Sequence, residues 1–119
     1  MAESIVQYII LRTDLKWPLG AIAAQACHAS IAAIHLFKDE KETVEYLEEL
    51  DRMHKVVLEA KDEETLTNLS KDLTASGVQH KLWIEQPENI PVSLATRPYT
   101  KSTVQSFFKH LKLCRNKVS

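Results

Sequence analysis

The sequence predicts an α/β fold: one domain built on a mixed four-stranded sheet, mostly parallel with its last strand antiparallel, and helices on both faces. Three observations carry that expectation. A nearly continuous apolar run, Ile5, Val6, Tyr8, Ile9, Ile10 and Leu11, is what a strand covered on both faces requires. Segments with apolar residues at three- and four-residue spacing alternate with short β-branched runs, giving the order β-α-α-β-α-β-β-α. A chain of 119 residues, 45% hydrophobic and 26% charged, suits a single domain with a real core. No internal repeat, linker or low-complexity stretch interrupts it.

Residues 4–11 read as a central strand. The helix expected over residues 19–37 carries Ile22, Ala26, Ala29, Ala33 and Leu36 or Phe37 on one side, and its many alanines let it lie close against a sheet. Residues 39–52 form an acidic, peripheral helix whose apolar stripe is Val44, Leu47 and Leu50, with Tyr46 beside it. A second strand spans residues 55–60. Asp62, Glu63 and Glu64 favour a helix start, Leu66, Leu69 and Leu73 face inward, and Gly77 is the left-handed stop. Residues 78–85 alternate as a strand, with Val78, His80, Leu82 and Ile84 on one face and Trp83 on the other. Prolines make residues 86–91 a loop, and the short strand at 92–96 is then the antiparallel neighbour of the strand before it. A last helix opens at residues 100–103 and carries Val104, Phe107, Phe108 and Leu111.

The net charge of −1 gives no global attraction for nucleic acid, but charge is unevenly placed. Asp39, Glu40, Glu42, Glu45, Glu48, Glu49 and Asp51 crowd one helix, while Arg97, Lys101, Lys109, Lys112, Arg115 and Lys117 occupy a C-terminal stretch free of acids. Such runs are either solvated helix faces or, for the basic one, a phosphate-binding surface. Cys27 and Cys114 have no metal-ligand spacing and are expected as free thiols; the five histidines form no ligand motif, so neither metal nor cofactor is expected. With no secretory signal and no apolar run approaching the roughly 18 residues of a membrane span, the chain is expected in the cytoplasm, and is small enough to enter the nucleus.

The junction between the first strand and the first helix is the most informative stretch. Arg12, Thr13, Asp14 and Lys16 lie between a strand and a helix N-terminus, where unpaired N–H groups and the helix dipole favour a phosphate, a carboxylate or a developing oxyanion. Equally, Asp14 and Thr13 can serve as helix caps, with the basic side chains solvated. Gln25 and His28 are i, i+3 neighbours and point along one edge of the same helix. If the first and third strands run parallel, their ends bring Lys16 and Glu85 to one edge of the sheet.

The pattern R-T-D-L-K at residues 12–16, followed six residues later by A-A-Q-x-x-H-A at 23–29, resembles the signature of the type 2 peptidyl-tRNA hydrolases. The likeness extends more weakly over nearly the whole chain, and the later half, with residues 85–90 and Arg97-Pro98-Tyr99, resembles a divergent branch of that family. The resemblance implies hydrolysis of the ester between a peptide and tRNA. It assigns catalytic roles to Lys16, to Glu85 in place of an aspartate, and to Asn89 in place of a threonine. Substrate binding then falls to Arg12, Thr13, Asp14, Gln25, His28 and the basic residues Lys101, Lys109, Lys112 and Arg115. Pro87 replaces a glycine, and Leu19-Gly20-Ala21 replaces a Lys-Gly-Lys arrangement, so two cations are lost. Those departures leave three readings open: a hydrolase of full or weakened activity, a non-catalytic relative that binds tRNA or another RNA, and a protein-interaction module docking through the acidic helix 39–51. The partners implied are peptidyl-tRNA or RNA, a protein at that helix, or a second copy in a homodimer, and no membrane.

Overall fold

Strand β1 (Ile5–Arg12) is the axis of the domain in the computed structural model, which describes residues 3–115. Its side chains divide by the period of two. Val6, Tyr8 and Ile10 join one core, with Leu58, Leu66, Leu69, Leu73, Leu94, Val104 and Phe108; Ile9 joins a smaller one with Ala29, Ala33 and Ala95. Both faces are therefore covered, as the continuous apolar run requires.

The remaining elements, in order, are α1 (Leu19–Leu36), α2 (Lys41–Glu48) with a 3-10 turn at Leu50–Arg52, β2 (Lys55–Ala60), α3 (Glu63–Ala75), β3 (His80–Glu85), β4 (Ile90–Thr96), β5 (Tyr99–Thr100) and α4 (Lys101–Val104). The α/β class expected from the sequence is the one found, with a correction in the sheet. The strand order is β2-β1-β4-β3; only β1 and β2 pair in parallel, and the β1–β4, β3–β4 and β1–β5 pairs are antiparallel. Strands β1, β2 and β3 share a direction, but the β3–β4 hairpin inserts β4 between β1 and β3. Strand β5 escaped the sequence reading because Pro98 interrupts the run. It continues the line of β4 along the same edge of β1, pairing with Ile5 and Val6.

Helix α1 lies on the smaller core with Ala29 and Ala33 fully buried; of the two alternatives at its end, Leu36 is exposed and Phe37 is half-buried. A fully buried glutamine makes that contact polar in part: Gln7 Nε2 donates to the carbonyls of Ser30 and Thr96, and its Oε1 accepts from Ser30 Oγ at 2.7 Å and Lys55 Nζ at 2.6 Å. Every hydrogen-bonding atom of that amide is used, which removes the cost of burying it. By length and a mean hydropathy of 1.4, α1 is long and apolar enough to cross a membrane, contrary to the expectation that no run approached that length; here it packs on the sheet.

Helix α3 matches its sequence signals: Asp62 Oδ1 accepts from the Thr65 N–H at 2.8 Å, Leu66, Leu69 and Leu73 are buried, and Gly77 has φ +72°. Helix α2 does not. Its buried residues are Thr43 and Tyr46, and Val44, Leu47 and Leu50 face solvent. What turns the helix is polar: Glu42 pairs with Arg97 at 3.1 Å and with Thr100, and the Tyr46 hydroxyl donates to the His54 carbonyl at 3.0 Å. The last helix is shorter than expected. After α4, Gln105–Phe108 is a 3-10 turn that lays Phe108 on Tyr8, rings 4.2 Å apart, and the chain then extends to pair Leu113 with Leu58 at the edge of β2.

Candidate functional site

Since β1 and β3 both run antiparallel to β4, they end at the same edge of the sheet, two strand spacings or roughly 10 Å apart. Glu85 is the last residue of β3. Its carboxylate is held at both oxygens: Trp83 Nε1 donates to Oε1 at 3.1 Å and Gln25 Nε2 donates to Oε2 at 3.0 Å. The indole donor first, then the amide, with the charge of His28 adding to them, hold this carboxyl below the usual carboxylate range, so it is ionised at neutral pH. His28 stacks on Trp83, ring centroids 4.9 Å apart at 28°.

Gln25 is almost fully buried, and Ser93 Oγ of β4 fixes the helix at that point by donating to the Gln25 carbonyl at 2.9 Å. A carboxylate only accepts, so Glu85 fixes the orientation of the Gln25 amide. Its other atom, Oε1, is buried and has no partner among the described residues. An unmet buried acceptor costs on the order of 1–3 kcal/mol. A donor from outside, a water or a substrate hydroxyl, would relieve it.

The loop after β1 has its own internal order. Arg12 is buried, and its guanidinium binds Asp14 with two parallel bonds, Nε to Oδ1 at 3.0 Å and Nη2 to Oδ2 at 2.7 Å, while Nη1 donates to the Pro91 carbonyl at 3.0 Å and reaches Glu63 at 3.4 Å. The hydrogen bond from Arg12, ahead of its charge, lowers the carboxyl of Asp14 below its ordinary value. Thr13 bonds to the Ala60 carbonyl through its N–H at 3.0 Å and its hydroxyl at 3.4 Å. Neither Thr13 nor Asp14 caps α1. Pro18 is the N-cap, with no side-chain cap and no acidic residue in the first turn, so the first N–H groups of α1 stay open toward the loop. Lys16 is exposed in that loop and pairs with no acid among the described residues.

The other expected residues are scattered. Asn89, at φ +58°, closes the β3–β4 turn: its N–H donates to the Glu85 carbonyl at 2.7 Å and its Oδ1 accepts from Gln86. Arg115 lines a groove of about 550 Å³ with Arg12, Leu15, Trp17 and Leu19. Lys101 lies at the opposite end of β1, where its N–H bonds to the Ser4 carbonyl, and Arg97 is committed to Glu42 and stacks over Tyr99. Lys109 and Lys112 are exposed, but on no helix: Lys109 follows Phe108 on the α3 face, and the Lys112 carbonyl bonds to the Glu59 N–H. The single basic C-terminal helix does not form, and Lys117 lies outside the described residues.

Residues 5–114 match the family described as peptidyl-tRNA hydrolase PTH2. The chain belongs to the PTH2 family. It is 51% identical over 116 residues to a mouse (Mus musculus) protein named "Putative peptidyl-tRNA hydrolase PTRHD1", covering 93% of this chain and 83% of that one, and 50% identical to the human (Homo sapiens) protein of the same name over the same spans. "Probable peptidyl-tRNA hydrolase 2" of Dictyostelium discoideum is 34% identical over 113 residues, 90% of this chain and 53% of that protein.

In this PTH2 chain the cluster at Glu85 contains two residues that sequence reasoning missed. Trp83 sits two positions before Glu85 on one strand, a spacing that puts both side chains on the same face, and that was the available signal. Ser93 interrupts an apolar strand at a position buried on both sides, which marks a polar residue with a fixed partner.

Proposed function

We propose that this chain hydrolyses the ester joining a peptide to tRNA, with Glu85 as the group that accepts a proton from the attacking water. The observation that carries the reading is the restrained, ionised carboxylate of Glu85 beside the unmet acceptor of Gln25. One group can take the water's proton and the other can hold its second hydrogen. Lys16 and the uncapped start of α1 supply positive potential for the oxyanion or for the terminal phosphates of the tRNA. His28, on the Trp83 ring, flanks the same edge and contacts substrate, and Asn89 offers its amide donors from the turn. Arg12, Thr13 and Asp14 act through the loop they order, and Arg115 extends the basic surface on the β2 side.

Family membership supports the reaction class. The test is release of an N-blocked amino acid from N-blocked aminoacyl-tRNA by the purified chain, beside Lys16→Ala and Glu85→Gln. Loss of a general base costs roughly 10²–10⁴ in rate, and loss of one oxyanion donor roughly 10²–10³. A parent chain no faster than the uncatalysed reaction, yet binding tRNA more weakly as salt rises, would leave RNA binding as the function.

A further inference from the structure

We propose that the outer surface of α2 docks a basic, amphipathic helical segment of another protein. Val44, Leu47, Leu50 and Met53 recur every three residues through α2 and the 3-10 turn after it, and are exposed by 47, 37, 59 and 42%. Together they leave exposed apolar surface along one side of the helix, the kind of feature that marks a binding site when it is contiguous. Nothing among the described residues covers it, because the polar ties of Glu42 to Arg97 and of Tyr46 to His54 turn the opposite side of the helix inward.

The neighbouring flank of the same helix is acidic. At 100° per residue Glu45 and Glu48 follow Val44 around the helix, and a groove of about 600 Å³ opens beyond them, lined by Glu3, Glu45, Glu48, Glu49, Tyr46 and His54. Four carboxylates there face one guanidinium, Arg52, which is taken by Glu49 at 3.1 Å. Glu48 has no cation partner among the described residues, and the Lys41–Glu45 pair is long at 3.9 Å and exposed. An apolar strip beside a strip of unneutralised negative charge is complementary to a helix with leucine-type residues on one face and lysine or arginine on the next. This surface is at the start of β1, the end of the sheet away from Glu85, so its occupancy does not depend on the hydrolase reading.

The test uses the full chain and a fluorescein-labelled helical peptide of leucine and lysine, with a serine-and-lysine peptide of equal charge as control, followed by anisotropy at low and moderate salt. The leucine–lysine peptide is expected to bind, more weakly as salt rises. Val44→Ser with Leu47→Ser, and separately Glu45→Lys with Glu48→Lys, are each expected to weaken it about tenfold or more, the charge-reversed pair with thermal stability close to the parent's because both of its positions are exposed. The charge-reversed variant should hydrolyse N-blocked aminoacyl-tRNA at the parent rate. Equal binding of the control peptide, or parent-like binding by both variants, would overturn the proposal. So would concentration-dependent self-association in sedimentation that the same substitutions abolish, since the occupant would then be a second copy.

Discussion

Replacing Arg12 by methionine separates a residue that builds the site from one that binds substrate. The side chain keeps its length and loses all its donors. The paired bond to Asp14 is charge-assisted and worth about 1.5–3 kcal/mol, with the lower half of that range appropriate because Asp14 is about one third exposed. The Pro91 carbonyl loses a donor, about 1 kcal/mol more, and the exposed Glu63 contact adds a few tenths at most. The sum is about 2.5–3.5 kcal/mol, or roughly 10–14 °C in Tm for a domain of this size. Urea unfolding followed by circular dichroism measures it, and acid provides the control. The folded pKa of Asp14 is depressed, so the stabilisation is complete above its unfolded value of about 3.9 and is lost as pH falls through the folded one. The gap between parent and Arg12→Met should therefore narrow as pH drops below about 4, down to the share of about 1 kcal/mol that the Pro91 carbonyl contributes at every pH. An Arg12→Met chain as stable as the parent but weaker in RNA binding would refute this reasoning and return the guanidinium to the role of phosphate ligand.

Trp83→Phe removes the larger of the two donors that lower the pKa of Glu85, so the acid limb of the pH–rate profile should move to higher pH, a shift that Gln25→Ala shares. Gly77→Ala forces a Cβ onto a backbone at φ +72° and should cost about 1 kcal/mol in urea unfolding, with activity intact. Leu66→Ala empties a site of zero exposure in the larger core and should cost about 2–5 kcal/mol by the same measurement, with an unchanged denaturant slope.

Much of this fold could be read from spacing because its cues were local. The bounds of β2, the acidic start and leucine stripe of α3 and the turn at Gly77 each depend on residues within one or two turns of each other, and each is found as expected. Features set by partners far along the chain were not legible. The rotation of α2 depends on Glu42 meeting Arg97, 55 residues away, and the insertion of β4 depends on which strand edge the β3–β4 hairpin chooses. The site divides in the same way. The shared edge of β1 and β3 followed from topology, and the roles proposed for Lys16 and Glu85 from a motif. That Arg12 would spend its donors on Asp14 and Pro91, and that Trp83 and Gln25 would grip Glu85 from two elements, needed the packed structure.

The most direct test of the account is the single-turnover rate on N-blocked aminoacyl-tRNA for the parent and Glu85→Gln, with tRNA affinity measured on the same samples. The account predicts that Glu85→Gln binds tRNA as the parent does, because an amide of equal size can still meet the Trp83 indole, while hydrolysis falls by roughly 10² or more. Equal rates in the two chains would contradict it, and would remove Glu85 from the chemistry.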